Sequence, residues 1–103
     1  MKLDRFGYVL ASKMLVDGKR KVRYMYHENP TGPEDSGWRF FCGDEDAEYV
    51  NDPSNIAIYD IHTILKIDRS VIPYLSEKAV IAFERTKNRG PFAISKGFVP
   101  GAE

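Results

Sequence analysis

Along the chain, apolar residues fall in short runs, each closed by glycine, proline or a cluster of polar residues. Gly7-Tyr8-Val9-Leu10-Ala11 predicts a first strand. Met14-Leu15-Val16 then runs into Asp17-Gly18, a tight-turn dipeptide. Lys21 to Tyr26 alternates polar and apolar in its first half, as a half-buried strand does. The two runs around Asp17-Gly18 predict a hairpin, with Lys19 and Arg20 able to lengthen its loop. His27 to Ser36 is polar, carries Pro30, Gly32 and Pro33, and predicts a loop.

Trp38-Arg39-Phe40-Phe41-Cys42 is aromatic and bounded by Gly37 and Gly43, which marks a strand. Its period of two puts Trp38, Phe40 and Cys42 on one side and Arg39 and Phe41 on the other. Asp44-Glu45-Asp46 before Ala47-Glu48-Tyr49-Val50 predicts a short helix start. Acids there favour the positive end of the helix dipole by about 0.3–1 kcal/mol each. Ile56 to Ile61 is a β-rich run behind the turn residues Asn51-Asp52-Pro53-Ser54-Asn55. Thr63 to Ile67 predicts a helical turn, and Asp68 caps a second one through Leu75, whose length Pro73 limits. Ala79 to Arg85 predicts a strand, and Asn88-Arg89-Gly90 turns the chain into Phe92-Ala93-Ile94. Strands separated by short helical pieces, without regular βαβ alternation, predict an α+β domain with a mainly antiparallel sheet and a few short helices.

At 103 residues the chain suits one domain, 1–103, with a loose tail over 96–103. No apolar run approaches the ~18 residues of a membrane helix. The charged start Met1 to Arg5 shows no secretory signal, and one cysteine cannot make an internal disulfide; both point to a reducing cytosol. Fifteen Lys and Arg balance fifteen Asp and Glu, which disfavours nucleic acid and anionic membrane as partners. The charge is nevertheless unevenly placed. Between Glu34 and Asp52 there are seven acids and one base, Arg39, whereas Lys19 to Arg23 and Arg85 to Arg89 are basic.

Each candidate chemistry competes with a plainer role. Asp44, Glu45, Asp46 and Glu48 could gather a hard cation, but EF-hand spacing is missing, and a solvated helix start explains them as well. A third reading makes them a docking face for a basic protein. Cys42 with His27 or His62 would need a thiolate favoured by positive charge; three neighbouring acids raise its pKa instead, so an inert thiol is the reading. Two histidines without a cysteine pair make no zinc site, and no glycine pattern cradles phosphate. Tyr24 and Tyr26 beside Lys21 and Arg23 could stack bases, though aromatic strands packed in a core give the same pattern. Trp38 reads first as core, at a cost of about 3–5 kcal/mol on truncation, and second as an interface anchor. Arg39 divides in the same way between a buried ion pair and an exposed anchor.

The stretches Gly7 to Ser12, Tyr24 to Pro30 and Asp35 to Asp46 resemble a bacterial family first described as a domain of unknown function and then filed as immunity protein 33. The Ser36-Gly37-Trp38-Arg39-Phe40-Phe41 run with Gly43-Asp44-Glu45-Asp46 is the most specific part. Further matches include Glu48-Tyr49, Asn51-Asp52-Pro53, Ile72-Pro73-Tyr74-Leu75 and Ala82-Phe83-Glu84-Arg85, so the resemblance covers about 7–85. Many members carry serine where this chain has Cys42, which again separates the thiol from function. The resemblance implies a cytosolic α+β protein, without enzymatic activity or cofactor, that neutralises a toxin of a polymorphic toxin system by binding it. The expected partner-binding residues are Trp38, Arg39, Asp44, Glu45, Asp46 and Glu48, with no catalytic residue and no metal. The alternative is a small cytosolic regulatory or ligand-binding domain without a toxin partner. A hydrolase or metal-dependent enzyme is a third, which a deep pocket holding His27, His62 or Asp60 would favour. The oligomeric state stays open.

Overall fold

Six strands form one sheet in the order β4-β1-β3-β2-β5-β6, in a computed structural model that describes residues 6–96. The expected loose tail beyond Lys96 and the charged start Met1–Arg5 lie outside the described residues. The strands are β1 (Tyr8–Ser12), β2 (Tyr24–His27), β3 (Asp35–Phe41), β4 (Ile56–Tyr59), β5 (Ile81–Glu84) and β6 (Ala93–Ile94). Between them run three α-helices, α1 (Lys13–Asp17), α2 (Ala47–Asn51) and α3 (Ile61–Ile67), and two 3₁₀ segments, Pro53–Asn55 and Arg69–Tyr74. One pairing, β1 with β3, is parallel; the others are antiparallel. The fold is α+β with a mainly antiparallel sheet and a few short helices, as the pattern predicted.

The hairpin expected around Asp17-Gly18 is not formed. Ser12 ends β1 in an extended conformation and its hydroxyl accepts from Leu15 N at 3.1 Å, which caps a helix rather than a second strand. Met14-Leu15-Val16 is too short to distinguish a period of 2 from one of 3.6, and the local cap decides. β1 pairs instead with β3 and β4, and β2 pairs with β3 and β5.

Alternation along β3 places its side chains in two separate apolar layers. Trp38, Phe40 and Cys42 join Val9, Ala11, Met25 and Phe83 under Leu15 of α1 and Ile61, Ile64 and Leu65 of α3. Phe41 joins Tyr26 and Ala82 in the second layer, against which Tyr24, Val50 and Ile56 pack. A central strand buried on both faces needs apolar side chains on both, which explains the aromatics Trp38, Phe40 and Phe41. The buried charges Asp35 and Arg39 are tolerated there because they pair with each other. Asp68 caps the second 3₁₀ segment as expected, accepting from Ser70 N at 3.0 Å. It also accepts from Val22 N at 3.0 Å and Arg85 Nη2 at 2.7 Å, so one buried carboxylate ties the approach to β2 to the end of β5.

Candidate functional site

The segment Asp35–Glu48 begins as the sheet's central strand and ends as the first turn of α2. At its start Asp35 and Arg39 are a bidentate pair: Arg39 Nη1 and Nη2 donate to the two carboxylate oxygens at 2.8 Å each. Arg39 Nε donates to Glu28 at 2.7 Å. Thr31 N and Gly37 N also donate to Asp35, both at 2.9 Å. The side chains of Arg39 and Asp35 are 3% and 0% exposed, so the pair is desolvated and complete. The hydrogen bonds from Arg39 hold the Asp35 carboxyl well below the usual carboxylate range. For Arg39, burial pulls the pKa down, but the bonds to Asp35 and Glu28 outweigh it and raise it.

Gly37 is necessary to this arrangement. Its φ of 85° lies in the left-handed region, and a Cβ there would run into the Glu28 carbonyl oxygen and stand 2.7 Å from His27 Nε2. The His27 ring lies between the carbonyl oxygens of Ala79, 2.9 Å from Nδ1, and Ser36, 3.2 Å from Nε2. Trp38, 1% exposed, stacks with Phe40 and Phe83 at centroid distances of 5.9 and 6.3 Å. Trp38 and Arg39 are therefore built into the interior, the plainer of the two roles considered for each. As interface residues they would act from behind the surface, by fixing β3.

The acidic run separates into four tasks. Glu45 turns back on the strand end, accepting from Cys42 N and Gly43 N at 2.9 Å each and from the Ser12 hydroxyl. Asp44 is gripped by Arg20 Nη1 at 2.8 Å and Arg23 Nη2 at 2.6 Å. Asp46 caps α2 through Tyr49 N at 2.8 Å. Glu48 stands exposed in the first helical turn and makes no side-chain bond among the described residues. The helix start expected at Asp44 thus begins at Ala47, because Asp44 and Glu45 form the turn before it. Sequence reasoning missed Glu28, Arg20 and Arg23 as partners of this segment; the opposite charge of Lys19–Arg23 was the available signal, without the strand pairing that brings it close.

The groups weighed for catalysis do not converge. Burial pushes the Cys42 thiol up; the Asp44 backbone opposes this, and the Glu45 and Asp44 charges add to it. Asp60 and His62 do form a pair, Oδ1 to Nδ1 at 2.7 Å, and both line a cleft of about 390 Å³ together with Phe6, Tyr8, Ile58, Tyr59 and Ile61. The cleft is open and the two side chains are 71% and 64% exposed, so it is not the deep pocket an enzyme would favour. His27 is not in that cleft. Asp60 is the α3 N-cap and accepts from His62 N, bonds that lower its pKa. Among the described residues no group of three or more His, Cys, Asp and Glu gathers as metal ligands would, and no helix is long and apolar enough to cross a membrane.

Comparison with curated proteins and with solved structures gave no match. The family comparison did: residues 9–95 match the immunity protein Imm33 domain, about ten residues further toward the carboxyl end than the quoted motifs reached. With β1 to β6 all inside or overlapping that span, this chain belongs to the Imm33 immunity protein family.

Proposed function

We propose that this protein binds a cognate toxin domain in the cytoplasm of a bacterium that carries a polymorphic toxin system, and blocks that domain sterically without chemistry of its own. Family membership over residues 9–95 carries the reading. The geometry of the Asp35–Glu48 segment supports it. Hydrogen bonds to Asp35, Glu45 and Asp46 fix the turn before any partner arrives, and a pre-organised surface loses less entropy on binding.

Within the candidate set the contact surface is Asp46 and Glu48, exposed at the start of α2, with Asp44 and Glu45 at its border and Trp38 and Arg39 holding β3 beneath. An acidic surface of this kind steers a basic domain, such as a nuclease, into contact. Co-expression with a candidate cognate toxin tests the first claim: growth is restored, and continued killing overturns the reading for that pair. Glu48→Lys combined with Asp46→Asn, which keeps the helix cap, tests the surface. Association should slow and lose salt dependence, whereas an unchanged rate excludes this face.

A further inference from the structure

The two basic segments lie more than sixty residues apart in sequence, yet the β2–β5 pairing joins them. Arg85 N donates to Arg23 O at 2.9 Å and Arg85 Nε to Val22 O at 3.0 Å, extending that pairing past the strand ends. The result is an open groove of about 360 Å³ lined by Lys19, Arg20, Lys21, Arg23, Cys42, Asp44 and Asn88. Four cations face one acid there, in a chain whose formal charge is zero. Lys87 and Arg89 flank Asn88 on the exposed loop that forms one wall.

Within the groove the charges are unequally engaged. Lys21 Nζ donates to Ile67 O at 2.6 Å and Arg23 Nε to Cys42 O at 2.8 Å, which anchors these side chains at the groove wall. Arg23 Nη2 and Arg20 Nη1 hold the Asp44 carboxylate, whose side chain is 51% exposed. Asp44 is thus withdrawn from the acidic run and set in a basic surface, where it shows what the site accepts: a carboxylate between two guanidinium groups. An exposed pair of this kind is worth little, so exchange for a stronger carboxylate ligand is cheap.

We infer that this groove docks an acidic segment of a protein partner, whose carboxylates displace Asp44 from Arg20 and Arg23. Lys19 and the Lys87–Arg89 loop supply the surrounding positive field. The inference goes beyond the immunity reading, and its test needs no toxin, so either can fail alone.

Titration of the full chain with a hexaglutamate peptide at low salt, followed by backbone amide shifts, decides it. Saturable binding should move the amides of Lys19, Arg20, Arg23 and Asn88. Asp44→Asn should tighten binding by up to about fivefold, the scale of one exposed ion pair. Lys19→Glu with Arg20→Glu, both exposed positions, should abolish it. The docking site is overturned by no saturation, by shifts elsewhere, by equal affinity in that double variant, or by Asp44→Asn leaving affinity unchanged. Inorganic phosphate binding as tightly as the peptide would reduce the groove to a generic anion site. Duplex DNA binding more tightly at the same salt would replace the protein partner by nucleic acid. If the double variant does not fold, the Asp44→Asn arm and the shift map still decide.

Discussion

Arg39 grips Asp35 inside the sheet, while Arg20 and Arg23 grip Asp44 in solvent, at donor–acceptor distances between 2.6 and 2.8 Å in both places. Distance therefore does not separate them. Around Asp35 the side chains are 3% and 0% exposed, and backbone donors complete the carboxylate's shell. Around Asp44 the carboxylate is half open to water, which can replace either arginine. The first cluster is committed to the fold, because breaking it strands a charge in the interior. The second is available for exchange, because water and salt already compete for it.

The largest effect should come from Arg39→Met. It leaves Asp35 buried without its cation and Glu28 without its partner, and removal of one member of a buried pair costs about 3–5 kcal/mol. Urea unfolding with a double-mutant cycle over Arg39→Met and Asp35→Asn should show strong coupling. Additive effects would mean that the pair does not act as a unit.

The same cluster predicts an acid limb. The folded pKa of Asp35 lies below its ordinary value, so its contribution is complete above the unfolded value of about 4 and is lost as pH falls through that value toward the folded one. Stability measured by urea unfolding should therefore fall below about pH 4 in the native sequence. Asp35→Asn should be less stable at neutral pH and show a flatter acid limb. An unchanged acid limb would show that Asp35 does not govern it.

How much of this was legible in the sequence depends on the range of the interaction. Both faces of β3 could be read, because Trp38, Phe40 and Cys42 against Phe41 is a matter of local alternation. Asp68 could be read as a cap for the same reason. The hairpin expected at Asp17-Gly18 failed because three apolar residues carry no period, and because the parallel β1–β3 pairing joins segments with β2 between them in sequence. Arg39 could be given two roles but not one, since the four-residue spacing to Asp35 is local but the burial of the strand face that carries both is set by elements distant in sequence. The acidic run showed its charge but not its division of labour. Glu45 and Glu48 look alike in sequence, and only the turn at Gly43 distinguishes them.

That division gives a smaller, sharper contrast within one acidic run. Glu45→Ala removes the acceptor of Cys42 N, Gly43 N and the Ser12 hydroxyl, and should cost about 1–3 kcal/mol. Glu48→Ala should stay within about 0.5 kcal/mol, as surface substitutions do. Chemical denaturation of both side by side reads the difference. Equal costs would mean that Glu45 is not the buckle of the turn.

The smallest effect belongs to the exposed cluster and closes the comparison with the buried one. Asp44→Asn should change stability by less than about 1 kcal/mol, a shift of a few degrees in the thermal midpoint for a domain of this size. Because both Arg20 and Asp44 are about half exposed, even that difference should vanish near 1 M salt, where the Debye length is ~3 Å. Arg39→Met should keep most of its cost under the same conditions, since ions do not reach a pair that water does not. If salt erased both differences alike, Asp35 would be solvated and the two clusters would be one kind. If it erased neither, Asp44 would be held as firmly as Asp35, and the groove around it would be closed to exchange.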